Sequence, residues 1–536
     1  MNTRHPAASP GHGGLSTMTW IIWQTRRRSI LLWAACLAAG MTATATAVAR
    51  LYDTPAKIHA YAEAVTAGSA LVAINGRVEG IDSLGGVIQD EFGFLASFLL
   101  PLLGVGLVAG STRREEETGR LETILGGRIG RHQPPLAALV VATAAILATS
   151  VLFAIGLRLA GVPTSGSILY SSALGALAFA FAGTAALAAQ LVPYARGVYT
   201  WSLIALAGAY VLRGAGDATN TGWTWLSPLG WAEKAAPFGA QRWWVLALPA
   251  AAGLGSGGAA VWLAARRDVG SAPLRSGAGP ARATRFRRRP TGFAAWIHWP
   301  ATAGWLAGGL ILAGMMGSLA QQFLGAMAGN PRLAEAMGIQ GGRPLDGFIA
   351  ATQLYLALIA AGYVIQAVGT LRAEEADGRL EARLAGTLGR IRWLIVHSTV
   401  IAAGLALIVF VPSLVLALTT AWSTGNAAEF GAVVRAGADY LPAELVFAGL
   451  ALAILGRWPR GFAFAWAGFA GASFIALLGP GLRFTRWVLN LAPTTHLGDP
   501  PLTAVHARGV AALLLVGFAL TAAGFLFFRR RDVPRS

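Results

Sequence analysis

RREEETGRLETILGGRIGR, residues 113 to 131, returns as RAEEADGRLEARLAGTLGR at residues 372 to 390. The two stretches share a Glu pair, Gly-Arg-Leu-Glu and a closing Gly-Arg at the same spacing, with Gly119 and Gly378 lying 259 residues apart. Each copy follows one long apolar segment and precedes another, so the sequence is internally duplicated and the duplicated signature is polar.

Working outward from these loops, the remainder reads as membrane-spanning chain. Hydrophobic residues make up 55% of the sequence and charged ones only 12%, and the mean hydropathy is +0.57. Soluble domains carry about 25% charged residues, so the composition excludes an ordinary soluble protein. A hydrocarbon core of about 30 Å needs about 20 apolar residues per helix. Runs of that kind fall at 29–49, 92–111, 136–161, 168–192, 196–213, 243–265, 301–320, 348–370, 393–419, 440–456, 461–479 and 507–528. The fold class expected is all-α integral membrane, with about twelve transmembrane helices in two parallel six-helix halves.

The expected organisation is a disordered N-terminus with an interfacial helix (1–28), a first six-span half (29–265), a basic cytoplasmic linker (266–292), a second half (293–528) and a cytoplasmic tail (529–536). The linker holds Arg266, Arg267, Arg275, Arg282, Arg285, Arg287, Arg288 and Arg289 among Gly, Pro and Ser, a solvated composition. Further echoes join the halves. Trp20-Ile21-Ile22-Trp23 is matched by Trp296-Ile297-His298-Trp299, Arg196-Gly197 by Arg460-Gly461, and Leu226-Ser227-Pro228 by Leu491-Ala492-Pro493. An even number of spans per half makes the repeats parallel and places a pathway at their interface.

Charge orients the bundle. With both termini, both repeated loops and the linker on one side, that side holds 29 of the 42 Lys and Arg and 10 of the 24 acids, which leaves 13 basic residues and 14 acids opposite. Basic residues concentrate on the cytoplasmic side of membrane proteins, so both termini are expected in the cytoplasm of a bacterial plasma membrane. Arg clusters flanking spans suit anionic lipid rather than nucleic acid. Cys36 is the sole cysteine, so no intrachain disulfide is expected, and the eight His show no ligand spacing, so no metal is expected. Only Lys57 and Lys234 are present, neither in a phosphate-cradling glycine loop. The chain itself is expected to be no enzyme and to bind no nucleotide.

Read as a helix, each loop places Glu116 four residues before Arg120 and Glu375 four before Arg379, the favourable order for pairing on one face. Leu121 with Leu125, and Leu380 with Leu384, add an apolar stripe, while Gly127 and Gly130, like Gly386 and Gly389, would end the helix. Each loop is therefore expected to be a short surface amphipathic helix with Glu and Arg turned to a partner.

On these residues the chain resembles the permeases of the ABC-2 exporter superfamily, and its fused twelve-span form resembles actinobacterial polyketide-antibiotic and tetronasin-type multidrug exporters. The resemblance implies that each loop is a coupling helix docking on a separate ABC ATPase subunit, two copies per permease, with ATP and Mg bound by that partner. By position, the coupling residues are Glu115, Glu116, Gly119, Arg120 and Glu122 in the first loop and Glu374, Glu375, Gly378, Arg379 and Glu381 in the second. Trp20 to Arg28 would be the interfacial connecting helix. The implied function is ATP-driven export of hydrophobic or amphipathic small molecules by alternating access. Aromatic residues such as Phe94, Phe98, Tyr355 and Tyr363 are candidate wall residues, each also explicable as packing. The alternative is a proton-driven drug transporter of the major facilitator type, which sets one acid among basic residues in its loop and needs a carboxylate within the bundle. Asp90, Glu91 and Glu444 fall at span ends. A membrane-embedded enzyme would need convergent acid, base or metal groups; none is evident in the sequence, and the segment from Arg50 to Glu91, with Asp53, Glu63, Glu79 and Asp82, is long enough to hold them.

Overall fold

Hydrocarbon offers no partner to a peptide group, so an apolar segment that crosses it must satisfy its backbone internally, as a helix does. The computed structural model follows that rule throughout. It describes residues 13–66, 72, 75–126, 129–274, 282, 284–329, 343–386, 389–480 and 484–532. Among them there is no strand. The long helices are α1 (Gly13–Leu51), α2 (Leu84–Ser111), α3 (Gln133–Leu159), α4 (Thr164–Leu191), α5 (Ala195–Thr219), α6 (Ala247–Arg266), α7 (Pro290–Gly329), α8 (Pro344–Ala376), α9 (Arg390–Thr424), α10 (Leu441–Arg457), α11 (Ala463–Leu478) and α12 (Ala507–Arg530).

Among the described residues, eleven helices are long and apolar enough to cross a membrane. The expected fifth span, 196–213, falls on α5, which forms but is not one of the eleven. Its inner face buries Arg213 and Asp217 beside the apolar Val198, Leu206 and Ala209, and charge of that kind lowers the hydropathy of the segment. The chain divides into two compact units, Met1–Ala278 and Gly279–Ser536.

α1 runs unbroken for 39 residues. At 1.5 Å per residue it is roughly 58 Å long, well beyond the hydrocarbon, so Trp20–Arg28 forms the projecting end of the first span's own helix. The expected interfacial stretch is thus continuous with the first span, since the absence of Gly or Pro between Thr17 and Ala39 gives the helix no place to break. Residues 1–12 lie outside the described residues.

Within each unit a glycine pair sets the contact between the fourth and the last helix. A Cβ on Gly183 of α4 would come 2.5 Å from the Gly253 carbonyl oxygen of α6; one on Gly456 of α10 would come 2.4 Å from that of Gly524 in α12. Small residues let backbones approach where lipid and side chain are equally apolar. Around these contacts α4 is mostly enclosed in the first unit and α8 in the second. Tyr363, one of the candidate wall residues, is fully buried in α8 and its hydroxyl accepts from Thr302 at 3.2 Å.

Candidate functional site: the two repeated loops

In the first loop α2 ends at Ser111 and the chain forms a short helix, Arg113–Glu117, then a turn, then a second short helix, Arg120–Leu125. The turn residue Gly119 has φ +71°, a left-handed conformation that glycine adopts without a Cβ penalty. In the second loop α8 itself continues to Ala376, Gly378 turns the chain at φ +70°, and Arg379–Leu384 follows. Leu121 and Leu380 are buried, and Leu125 and Leu384 pack against the same apolar clusters. The expected apolar stripe is present. The expected pairing of Glu116 with Arg120 and of Glu375 with Arg379 is not, because the left-handed glycine interrupts the helix between the two members of each pair.

Glu116 instead receives Arg267, the residue that caps the C-terminus of α6, through both terminal nitrogens at 2.7 and 2.9 Å. The Gly270 amide donates to it at 2.6 Å and Arg113 lies at 2.9 Å. Arg113 also donates to the Ala189 carbonyl of α4 at 2.9 Å, and Arg267 to Gln190 at 3.1 Å. A cavity of about 20 Å³ beside Glu116 and Arg113 is large enough for one water, which needs about 10–15 Å³. Glu117 accepts from the Ala195 amide, placing negative charge at the N-terminus of α5. Glu115 sits between Arg26 of α1 at 3.5 Å and Arg120 at 3.4 Å.

The second loop repeats the central contact. Glu375 receives both terminal nitrogens of Arg531, the cap of α12, at 2.5 and 2.7 Å. Glu374 is buried and pairs with Arg379 at 2.9 Å and Arg383 at 2.5 Å. Burial lowers the Arg383 guanidinium below its ordinary value, with Glu374 opposing that shift. Arg390 donates to the Arg531 carbonyl at 3.1 Å. In both units, then, an acid at the cytoplasm-expected end of the second helix, just past it at Glu116 and in its last turn at Glu375, is clasped by the arginine that caps the sixth. Planar guanidinium and carboxylate make two parallel bonds, so the clasp fixes orientation as well as distance.

These contacts sort the candidate residues. Glu116 and Glu375 hold the loops to their own unit, and Glu374 braces its loop internally through Arg379 and Arg383. Arg120 and Glu122 in the first loop and Arg379 in the second are exposed. Glu115 and Glu381 are partly covered. Arg267 and Arg531 were legible only as basic residues at span ends, with nothing in their spacing to mark them as partners of the loop acids. Gly127 lies outside the described residues.

A second polar cluster was missed. It lies at the opposite end of α2 from the loop, where Tyr61 donates to Asp90 at 2.6 Å, Asn75 donates to Asp90 at 3.1 Å, and Arg213 lies 3.7 Å from Glu233. The charges on the weak fifth span were the signal that could have found it.

The described residues thus form a multi-pass helical chain, with eleven helices long and apolar enough to cross a membrane and two arginine-clasped loops. The comparisons name its kind. The model of the "multidrug efflux system permease Rv1217c, C-terminal domain" family matches residues 288–529. The multidrug efflux system permease protein Rv1217c of Mycobacterium tuberculosis (strain ATCC 25618 / H37Rv) is 30% identical over 537 residues, covering 99% of this chain and 97% of that protein. The chain belongs to this family of multidrug efflux system permeases.

Proposed function

We propose that this chain is the membrane-spanning permease of an ATP-driven ABC-2 type exporter that moves hydrophobic or amphipathic drug-like compounds out of a bacterial cell across its plasma membrane. Both repeated loops face the cytoplasm and dock on separate ABC ATPase subunits, one copy at each loop, which supply the ATP and Mg. The observation that carries this reading is the repeated clasp, Glu116 with Arg267 and Glu375 with Arg531. A loop that merely set topology would need neither acids nor a bidentate link to a distant helix. A loop that receives a mechanical stroke needs both, because the displacement must pass into the spans rather than dissipate in loose chain.

In each unit the clasp ties the end of the second helix to the end of the sixth, so a push on the loop moves two spans together. The exposed Glu122, with Arg120 and Arg379, which also pair with Glu115 and Glu374 inside their loops, presents charge to the ATPase surface. The family's multidrug name supports export of drugs, and the apolar composition of the spans suits apolar cargo. The test is reconstitution in lipid nanodiscs with ABC ATPase subunits taken from the same genome. A stable complex of one permease with two ATPase copies, whose hydrolysis changes when hydrophobic drugs are added, is the expected result. No association, with efflux that follows an imposed proton gradient, would overturn it.

A further inference from the structure

The cluster at the far end of α2 surrounds a cavity of about 50 Å³ lined by Asn75, Gln89, Tyr170, Arg213 and Glu233 among others. Asp90, Asp217 and Glu233 are 1%, 2% and 9% exposed, against one buried guanidinium, Arg213 at 5%. Three buried carboxylates face one buried cation. Arg213 is shared, 3.7 Å from Glu233 and 3.9 Å from Asp217. The other charges nearby are Glu91, Arg77 and Lys234. Of these, Arg77 donates to the Asp217 carbonyl at 3.2 Å, and all three are at least partly exposed.

The cavity wall carries acceptor oxygens that no neighbouring donor reaches. Gln89 Oε1, both carboxylate oxygens of Glu233 and the Tyr170 hydroxyl are buried without a hydrogen-bond partner. A buried acceptor left unmet forfeits its hydration with nothing in return. Burial, with Asp217 beside it, raises the Glu233 carboxyl well above its ordinary value, so the group holds its proton until a cation beside it favours the carboxylate. Among the described residues no group of three or more His, Cys, Asp or Glu side chains is placed to hold a metal ion, whereas a group that brings N–H donors would meet the Gln89 and Glu233 oxygens. At about 10–15 Å³ per water-sized group, the cavity takes a head group and little more. A larger body would lie outside it, and Phe94, 39% exposed, stands beside the lining residue Gly93 in a three-ring cluster with Phe98 and Tyr210 whose centroids are 5.1 to 5.5 Å apart.

We propose that this cavity binds the ammonium group of a cationic amphiphile, with Glu233 as counter-ion, Gln89 Oε1 as neutral acceptor and the Phe94 cluster against the apolar body. The site belongs to the first unit alone. By the register of the repeats, Asp90 corresponds to Ile349, Arg213 to Leu477 and Glu233 to Gly498, none of which carries charge. The binding step does not depend on the ATPase; only the fate of the bound amine rests on the exporter reading.

The experiment is equilibrium binding of octylammonium and of octanol to the full chain in nanodiscs without ATPase, with empty nanodiscs subtracted. The expected result is at least tenfold tighter binding of octylammonium. Glu233→Gln should abolish that preference while leaving octanol unchanged, and Gln89→Leu should weaken octylammonium several-fold, which keeps the test open if Glu233→Gln does not fold. Equal binding of the two probes to wild type would overturn the proposal. So would an unchanged preference in both variants, or an effect of Glu233→Gln confined to the pH dependence of both probes, the signature of a shared proton. Failure here would leave the ATPase complex untouched, and failure of that complex would leave this binding untouched.

Discussion

Arg531 holds Glu375 through both terminal nitrogens, at 2.5 and 2.7 Å, across 156 residues of sequence. Arg267 holds Glu116 the same way across 151 residues. The loop acids are thus committed to the chain's own last helices, and the duplication that is visible in the sequence as a loop is, in the folded chain, a duplicated joint between two helices.

The clasp depends on the fork as well as the charge. Lys keeps the charge but cannot make two parallel bonds, so Arg267→Lys and Arg531→Lys should each lower thermal stability modestly. Glu375→Ala leaves Arg531, 18% exposed, beside an apolar surface, and removing one partner of a buried pair costs about 3–5 kcal/mol, toward the lower end here because of the residual exposure. The exchange Glu375→Arg with Arg531→Glu should recover most of that loss. Thermal melts in nanodiscs check this; equal melting temperatures for wild type and Glu375→Ala would remove the clasp from the account.

At Gly119 a Cβ would meet nothing within 4 Å. Gly119→Ala therefore tests backbone conformation alone and should cost about 1–2 kcal/mol for the left-handed geometry. Gly119→Asn should cost less, since Asn tolerates that region. A melt that places Ala and Asn together would argue against a conformational role for this turn.

The glycine contact between α10 and α12 gives the opposite case. Gly456→Leu must push the helices apart, because even a Cβ would lie 2.4 Å from the Gly524 carbonyl oxygen. Overpacking of this kind costs about 1–3 kcal/mol or more. Gly471→Leu, where nothing lies within 4 Å, should be close to neutral in the same melt.

Glu233 sets a pH dependence. Its folded-state pKa is raised above the ordinary 4.5, so the folded chain holds the proton more tightly than the unfolded one. Its contribution to stability is complete below about pH 4.5 and is lost as pH rises through the raised value. Glu233→Gln, which cannot ionise, should flatten that decline and stabilise the chain at neutral pH. A wild-type profile no steeper than that of the variant would contradict the assignment.

The sequence made the helical class, most of the span positions and the two loops legible, because each rests on local composition or on a motif repeated at fixed spacing. The loop geometry was legible in part. Leu121 and Leu380 were correctly placed on a buried stripe, whereas Gly119 and Gly378, shared by the two copies, already marked a left-handed turn that breaks the i,i+4 pairing. The clasping arginines were not legible, since nothing in the spacing between Glu116 and Arg267 identifies a contact made by helix packing. The Glu233 cluster was hidden for a related reason. Tyr61, Asp90, Arg213 and Glu233 come from four separate segments, and each alone reads as a span-end or loop residue.

The central claim is that the exposed faces of the two loops receive an ABC ATPase. The most direct measurement is drug-stimulated ATP hydrolysis by the nanodisc complex carrying Arg120→Ala together with Arg379→Ala, substitutions that leave both clasps intact. The account predicts loss of ATPase association or of the response to drug in the double variant and a partial loss in each single one. Normal drug-responsive hydrolysis by a well-folded double variant would contradict it.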